Sequence, residues 1–215
     1  MKLKQLESIL EDVETFEEPD YMLEQYKTSA HLAAHVMFAM AGFGDVEDKV
    51  VVDFGCGTGM LAIASQVMDA GHTVGLDIDP TALAIASRNV EDYGADVELI
   101  NCDLLSGPPP LRAGTVDTVV MNPPFGTRVK GADMAFLKAG YELCTGAVYS
   151  LHKSSTRAHI RKTAAAWGAN VEVLAQMKFD IPQMYKFHRK KSVDVDVDFI
   201  RVSHPEGPSG GAGRA

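Results

Sequence analysis

The sequence is poor in the features that mark secreted and membrane proteins. Its 215 residues include only 3 cysteines, Cys56, Cys102 and Cys144, an odd number without C-x-x-C spacing. Such cysteines are typical of reduced intracellular thiols rather than of a disulfide framework or a zinc site, so no bound metal is expected. No apolar run approaches membrane-spanning length, and residues 1–20 are too acidic for a signal or transit peptide. We therefore expect a soluble protein of the nucleus and cytoplasm that does not bind membranes.

The sequence also lacks an excess of positive charge. Its 20 Lys and Arg residues are outnumbered by 29 Asp and Glu residues, which gives a net charge of −9. This balance excludes a chain that is basic over its whole surface. It does not exclude a local basic groove, because binding depends on where the charges cluster. The apolar content of 46% suits one domain with a sizeable core at this length.

Helical and strand patterns alternate along most of the chain. Leucines at helical spacing predict an amphipathic helix in the first ten residues, and Ser29 is placed to cap a second helix that runs to Gly42. Beyond these, β-rich segments, several of them apolar throughout, alternate with helices and predict an α/β sheet covered on both faces. We expect one domain over residues 1–202 with an N-terminal helical extension, and a disordered Gly/Pro/Ser-rich tail over residues 203–215.

The last β-rich segment, residues 192–203, alternates apolar and acidic residues. One side would carry Val193, Val195, Val197 and Phe199, and the other Asp194, Asp196 and Asp198. This pattern predicts either one wet face or an antiparallel position near the edge of the sheet.

A glycine-rich loop follows the first apolar strand. In "DFGCGTG", Gly55, Gly57 and Gly59 stand at every second residue, whereas a dinucleotide fingerprint requires G-x-G-x-x-G/A. Open α/β sheets bind ligands beyond the carboxyl ends of their strands, and glycine lets the backbone approach a ligand closely. The loop therefore predicts a ligand site that need not hold a pyrophosphate, and a plain tight turn is the alternative.

Two aspartates at the ends of the next strands extend the predicted site. Asp77 ends the second strand, about 20 residues after the glycine loop, where a carboxylate can accept hydrogen bonds from both ribose hydroxyls. Asp103 follows the third strand and is placed to meet the adenine of the same nucleoside. The alternative is that Asp77 or Asp79 only caps the following helix. The strand, loop, helix and acid spacing together favour ligand binding.

The fourth apolar strand ends in the tetrapeptide Asn122, Pro123, Pro124 and Phe125. The Asn122 side-chain oxygen and the Pro123 carbonyl can each accept one N–H of an exocyclic amine, which points the nitrogen lone pair towards an incoming methyl group. Consecutive prolines hold the carbonyl at a fixed angle, and the phenylalanine offers a face on which a base stacks. In isolation the tetrapeptide is turn chemistry. Downstream of the glycine loop and Asp77 it predicts catalysis without a dedicated general base.

At this point the sequence resembles a known family. "DFGCGTG", "LDID", "NCDL" and "NPPFGT" are similar to the motifs of class I S-adenosylmethionine-dependent methyltransferases that act on amino groups. More narrowly, "LEQYKT", "NPPFGT", "DMAFLK", "AVYSLHKSST" and "YKFHRKKSVDVDVDFIRV" resemble enzymes that make N6-methyladenosine in small-subunit (18S) ribosomal RNA. The similarity extends from Leu3 to Val202. Where those enzymes have proline before the threonine and Arg-Pro after it, this chain has Lys27, Ser29 and Ala30.

The resemblance implies a Rossmann-like, seven-stranded, mostly parallel sheet with an antiparallel last strand. It implies catalysis by residues 122–125, S-adenosylmethionine as cofactor, S-adenosylhomocysteine as product, and a heterodimer with a small zinc-binding activator subunit. That partner is expected along the third strand, residues 96–101, if this strand lies at the sheet edge; the alternative is that the N-terminal helix covers the edge. The expected cofactor contacts are Gln25, Thr28, Asp53, Gly55, Gly57, Thr58, Gly59, Asp77, Ile78, Asp103, Leu104 and Asn122.

Basic residues near the tetrapeptide and in the last third of the chain are the candidates for RNA contact. The segment 181–192 contains no acid, and its aromatic residues are interleaved with bases for stacking or packing. The alternative is a solvated connector between two strands. The predicted RNA-binding residues are Arg128, Lys130, Lys153, Arg157, Lys186, His188, Arg189, Lys190 and Lys191.

Two other functions fit parts of the pattern. A protein glutamine-N5 methyltransferase uses the same pair of acceptors on a side-chain amide, but such enzymes typically have Tyr in place of Phe125 and lack the Lys186–Lys191 segment. A non-catalytic RNA-binding subunit would keep the fold but would usually lose the glycines or the tetrapeptide, and this chain retains both.

Overall fold

The structure is a computed structural model that describes residues 1–182 and 192–205, with side chains described for residues 1–179 and 195–205. Seven strands form one sheet in the order β3-β2-β1-β4-β5-β7-β6. The strands are β1 Val50–Phe54, β2 His72–Asp77, β3 Val97–Asn101, β4 Val116–Met121, β5 Cys144–Lys153, β6 Asn170–Pro182 and β7 Ser192–Ser203. Strands β1 to β5 are parallel, and β7 is inserted antiparallel between β5 and β6. This confirms the predicted fold class.

Six α-helices surround the sheet in the described part of the chain. They are α1 Leu3–Leu10, α2 Ala30–Gly42, α3 Met60–Val67, α4 Pro80–Tyr93, α5 Ala132–Leu143 and α6 Arg157–Ala166, the last preceded by a 3-10 turn, Ser154–Thr156. As predicted, Ser29 caps α2, its hydroxyl accepting the Leu32 N–H at 3.2 Å. Within the described residues, none of these helices combines the length and apolarity needed to cross a bilayer.

The sheet separates two apolar clusters, because successive side chains along a strand point to opposite faces. Val51 of β1 and Val120 of β4 face the cluster formed with α1, α2 and α3. Val52 and Val119 face the cluster formed with α5 and α6. Helices therefore cover both faces, as the continuous apolar strands predicted.

The register of the central strands aligns their carboxyl ends. Phe54, the last residue of β1, pairs with Leu76 of β2 on one side and with Met121 of β4 on the other. The glycine loop, Asp77 and Asn122 follow directly after these residues, so all three emerge at the same edge of the sheet. The segment between α1 and α2 also belongs to this edge, since several of its residues line the pocket described below.

The acidic face of β7 is only partly wet. Asp196 is exposed, but Asp198 is 1% exposed. Its carboxylate accepts hydrogen bonds from the Ser154 hydroxyl at 2.6 Å and from Arg157 Nε at 2.6 Å. A buried charge needs such partners. The pattern predicted either one wet face or an antiparallel position near the sheet edge. Strand β7 is antiparallel and lies next to the edge strand β6, which confirms the second alternative, and the burial of Asp198 shows that the acidic face is not fully exposed.

Candidate active site

Two adjoining pockets lie beyond the carboxyl ends of β1, β2 and β4. Their cavity volumes are about 120 and about 40 Å³, and both are open to solvent. Both are lined by Phe16, Tyr26, Gly55, Gly57 and Asn122. The glycine loop and the end of β4 thus border one continuous site.

The glycine loop is held close to β2 by its own backbone. The N–H groups of Gly55 and Cys56 donate to the Leu76 carbonyl at 2.8 and 3.0 Å. Gly57 has a φ of +55°, and a Cβ at this position would lie 2.8 Å from the Phe16 ring. Both the left-handed backbone and the close aromatic contact require glycine here.

Asp77 connects the glycine loop to the start of α4. Its Oδ2 accepts the Gly57 N–H at 2.8 Å, and its Oδ1 accepts the Asp79 N–H at 2.9 Å. Burial raises the pKa of Asp77, although the two backbone hydrogen bonds oppose this rise. Asp79, in contrast, caps α4 by accepting the Thr81 N–H at 2.8 Å and also accepts from Gln25 Nε2 at 2.7 Å. The helix-capping alternative thus applies to Asp79, while Asp77 lines the pocket.

Asp53 is a buried carboxylate that lines the smaller pocket. It is 1% exposed, and its Oδ2 accepts the Ala62 N–H at 3.0 Å. Within the described part of the chain, its Oδ1 has no hydrogen-bond partner. Burial raises the pKa of Asp53 to about 8, and the charge of Asp77 adds to this effect. A buried acceptor without a partner at a pocket wall fits a ligand that brings a donor or a positive charge.

The amide of Asn122 is oriented by a residue far away in the sequence. Its Nδ2 donates to the Thr28 hydroxyl at 3.1 Å. Among the described residues, none donates a hydrogen bond to its Oδ1. Asn122 lines both pockets, so this oxygen is the acceptor that it can offer to a ligand.

Glu24 holds the loop that follows the two prolines. Its Oε2 accepts the Phe125 N–H at 3.1 Å, and its Oε1 accepts the N–H groups of Thr127 and Arg128 at 2.8 and 2.9 Å. The side chain is only 5% exposed, and its backbone has a φ of +53°, which non-glycine residues rarely adopt. Strain of this kind persists only where the surroundings fix the residue.

Phe125 is packed inside an aromatic cluster rather than open to either pocket. Its ring is 6% exposed, stacks on Tyr26 at a centroid distance of 5.9 Å and meets Phe179 edge-on at 5.8 Å. The Lys153 ammonium lies 5.8 Å from the same ring. The predicted stacking face is therefore covered by Tyr26 in this structure, and a base would reach it only after Tyr26 moves.

The structure gathers most of the predicted cofactor residues around the two pockets. The larger pocket is lined by Gln25, Gly55, Gly57, Asp77, Ile78, Asp103, Leu104, Asn122 and Pro124. The smaller one is lined by Thr28, Asp53, Gly55, Gly57, Thr58 and Asn122. Gly59 lines neither pocket. It precedes α3 as the N-cap residue with a φ of +91°, a left-handed conformation that favours glycine.

Asp103 and Pro123 are placed less directly at the pocket than the sequence predicted. The Asp103 carboxylate accepts hydrogen bonds from the Ser106 hydroxyl and from the Leu105 N–H at 2.9 Å. The bond from Ser106, and then that from Leu105, lowers the pKa of Asp103. Its oxygens are therefore hydrogen bonded within the turn that follows β3, although the residue also lines the larger pocket. Pro123 is buried, and its neighbour Pro124 is the proline that lines the pocket.

The predicted RNA-binding residues fall into three groups. Lys130 is exposed, and the Arg128 guanidinium lies 3.5 Å from the centroid of the Tyr21 ring. Arg157 forms an ion pair with Asp198 and donates a hydrogen bond to Gln176, so it has a structural role, and its contact with RNA stays a prediction. Lys153 belongs with the first group, since its ammonium lies 5.8 Å from the Phe125 ring. The remaining residues, Lys186, His188, Arg189, Lys190 and Lys191, lie outside the described residues.

Several residues that line the site were not predicted as part of it, among them Glu24, Tyr26 and Phe16. Glu24 and Tyr26 stand beside Gln25 in "LEQYKT", and Phe16 belongs to an acidic connector. The only signal in the sequence is that aromatic and acidic residues flank a predicted cofactor residue. Their contacts with residues 57 and 125–128 depend on chain segments that meet only in the folded protein.

The sheet order, the glycine loop, Asp77 and the asparagine at the end of β4 together have the arrangement of a Rossmann-like methyltransferase. Comparison with known proteins agrees. A family model described as the methyltransferase small domain matches residues 30–156. The chain belongs to this methyltransferase small domain family.

Individual relatives cover nearly the whole chain. A Danio rerio protein named rRNA N(6)-adenosine-methyltransferase METTL5 is 50% identical over 206 residues, which cover 94% of this chain and 99% of the relative. The Drosophila melanogaster protein named rRNA N(6)-adenosine-methyltransferase Mettl5 is 44% identical over 204 residues, covering 94% and 96%. The solved structure of PH1948 from Pyrococcus horikoshii is 32% identical with a TM-score of 0.84 and covers 95% of this chain and 98% of that one.

Proposed function

We propose that this protein transfers a methyl group from S-adenosylmethionine to N6 of a specific adenosine in small-subunit (18S) ribosomal RNA and releases S-adenosylhomocysteine. The names of the Danio rerio and Drosophila melanogaster relatives support the reaction and the RNA class. The observation that carries the proposal is Asn122, whose amide is anchored by Thr28 at a pocket shared with Asp77.

The pocket suits S-adenosylmethionine in three respects. Both oxygens of Asp77 keep a second lone pair for ribose hydroxyls after accepting one backbone N–H each. The Oδ1 of Asp53, which has no hydrogen-bond partner among the described residues, suits the ammonium group of the amino-acid part. Ile78 and Leu104 offer apolar walls for a flat base. When bound, the cofactor supplies an electrophilic methyl group on a sulfonium.

The chain would prepare the adenine amine by hydrogen bonding. The Oδ1 of Asn122 and the carbonyl of Pro123 each accept one N–H, which withdraws the nitrogen lone pair from the ring. Acceptors placed in advance stabilise the positive charge that develops on nitrogen during attack. The methylated nitrogen is acidic, so water or the same acceptors take its proton. The target base must leave its stack, at a cost of a few kcal/mol that is smallest for an unpaired adenine.

Positive charge near the site would hold the RNA backbone. Lys130 is exposed, and Lys153 lies beside the aromatic cluster at the end of β4. The segment Lys186–Lys191 adds further basic residues in the sequence. Phosphate contacts of this kind position the RNA and weaken with added salt. We expect binding to weaken as ionic strength rises.

We further propose that the enzyme works in the nucleus and cytoplasm as the catalytic subunit of a heterodimer with a small zinc-binding activator. Strand β3 lies at the edge of the sheet, with Leu99 and Ile100 half-buried and Leu105 exposed beyond it. A partner strand that pairs with β3 would cover this edge. Expressed alone, the chain should be poorly soluble or weakly active, and co-expression with the activator should restore it. A monodisperse lone chain with full activity would contradict the heterodimer.

Labelled S-adenosylmethionine offered with ribosomal RNA from cells that lack the protein tests the activity directly. We expect label at N6 of one adenosine, identified by mass spectrometry, and almost none with the Asn122→Ala variant. Unchanged methylation by this variant would show that the Asn122 side chain does not hold the substrate amine. Label confined to glutamine of added release-factor protein would instead establish the alternative, a protein glutamine-N5 methyltransferase. No transfer to either substrate by the heterodimer would favour a non-catalytic RNA-binding subunit.

A further inference from the structure

The backbone amides after the two prolines need partners that regular structure does not supply. The chain leaves β4 at Met121 and enters α5 only at Ala132. Buried N–H groups in such a connection must be paired, because an unpaired one costs as much as a lost hydrogen bond. Gly126, with a φ of +70°, turns the backbone so that several N–H groups point to one place.

One carboxylate occupies that place. The two oxygens of Glu24 accept three backbone N–H groups, those of Phe125, Thr127 and Arg128, at distances between 2.8 and 3.1 Å. Hydrogen bonds to an ionised carboxylate are stronger than those between neutral groups. Because the side chain is 5% exposed, little water competes for these donors.

Glu24 also lies in a short strap, residues 24–28, that contacts both halves of the site. The next residue, Gln25, donates to Asp79 at 2.7 Å, and Asp79 is hydrogen bonded to Asp77. At the other end, Thr28 accepts the Asn122 amide. The strap therefore joins the ribose side of the pocket to the residues that face the substrate amine.

We propose, resting on the methyl transfer proposed above, that Glu24 is a positioning residue for the reaction. Its carboxylate fixes the backbone of residues 125–128 and thereby the angle of the adjoining Pro123 and Pro124 carbonyls and the seat of the Phe125 ring. Glu24 does not act as a general base in this arrangement, because its oxygens face the loop amides. Without the Glu24 carboxylate, the two prolines and residues 125–128 would occupy a wider range of positions.

The Glu24→Gln variant tests this role with little change in volume. The amide oxygen can still accept from Thr127 and Arg128, but the new NH₂ group faces the Phe125 N–H, so this contact becomes repulsive. Misplacement of a catalytic group by about 1 Å can cost about 100-fold in rate. We expect kcat to fall by about 10- to 100-fold, KM for RNA and the affinity for S-adenosylhomocysteine to change by less than about threefold, and the pH–rate profile to keep its shape.

Hydrogen exchange of peptides that span residues 125–128 gives a readout independent of the substrate. We expect faster exchange there in Glu24→Gln and faster still in Glu24→Ala, with no change in Glu91→Gln, a matched variant of an exposed glutamate on α4. If the wild-type chain methylates a substrate other than RNA, this comparison still decides the role of Glu24.

Three results would overturn the inference. Unchanged exchange over residues 125–128 in both Glu24 variants would show that the carboxylate does not hold the loop. A kcat within twofold of wild type would show that holding it is irrelevant to the reaction. A loss of activity that only matches a loss of cofactor-binding stoichiometry would assign Glu24 a folding role and no positioning role.

Discussion

The buried carboxylate of Asp53 makes the stability of the ligand-free protein depend on pH in a predictable way. Burial, with a further contribution from Asp77, raises the pKa of Asp53 from 3.8 to about 8. A folded-state pKa above the unfolded one means that the group's contribution to stability is complete below about pH 4 and is lost as pH rises through about 8. The Asp53→Asn variant keeps the shape of the side chain but does not titrate. It should therefore gain stability over wild type as pH rises.

The size of this gain follows from the shift. One pKa unit corresponds to about 1.36 kcal/mol. Between pH 5 and pH 7 the unfolded chain has already lost the proton that folded Asp53 retains. The difference in unfolding free energy between variant and wild type should thus widen by about 3 kcal/mol over these two pH units. Other titrating groups are common to both proteins and cancel in the difference.

Urea unfolding of both proteins at pH 5, 6 and 7, without ligand, measures the effect. Asp92→Asn, which removes an exposed carboxyl on α4, is the control and should show a nearly constant difference from wild type. A difference for Asp53→Asn that stays flat across this range would refute the reasoning, because it would mean that Asp53 is ionised in the folded protein without cost.

Ligand binding gives a second test of the same carboxylate. A cation beside Asp53 favours its ionised form, so binding of S-adenosylhomocysteine should release a proton below pH 8. Affinity should then rise with pH by up to about tenfold per unit in wild type and stay nearly flat in Asp53→Asn. Calorimetry in buffers of different ionisation enthalpy counts the proton, and zero release at pH 7 would exclude an ionic contact with Asp53.

Three further substitutions test other parts of the structure. Gly57→Ala imposes a φ of +55° on alanine and sets its Cβ 2.8 Å from Phe16. Because a left-handed backbone costs about 1–2 kcal/mol, thermal unfolding should begin at a lower temperature. Calorimetry should also show weaker binding of S-adenosylhomocysteine. The hydrogen bond from Arg157 lowers the pKa of Asp198 in the folded protein. The contribution of Asp198 to stability is therefore present above the ordinary carboxyl pKa and is lost as pH falls through the lowered folded-state pKa. Asp198→Asn should therefore cost more at pH 7 than at pH 3 in urea unfolding, and an equal cost at both would contradict the pairing. Tyr149→Phe removes a hydroxyl that bonds two charged side chains and should lower the unfolding free energy by about 1 kcal/mol; no loss would mean that water replaces it.

Local patterns in the sequence were enough to predict the elements and the core of the site. Continuous apolar strands followed by helices indicated a sheet covered on both faces. The loop after the first strand needs glycine at residue 57 because of its own backbone conformation. Asp77 and Asn122 were identifiable because Asp77 ends one apolar strand and Asn122 directly follows another, and parallel strands bring their carboxyl ends to one edge. These inferences needed only short stretches of chain and the topology that they imply.

Contacts between distant segments decided the rest. Glu24 binds an amide 101 residues away, and nothing in "LEQYKT" alone indicates that its carboxylate faces the loop after β4. The same packing covers Phe125 with Tyr26 and engages Arg157 with an aspartate of the inserted strand β7. The positions of the strand ends in the sequence determine which residues emerge at the same edge of the sheet. Which side chains then meet is determined only by the folded backbone. Buried polar groups must be hydrogen bonded, and their partners come from segments that are distant in the sequence.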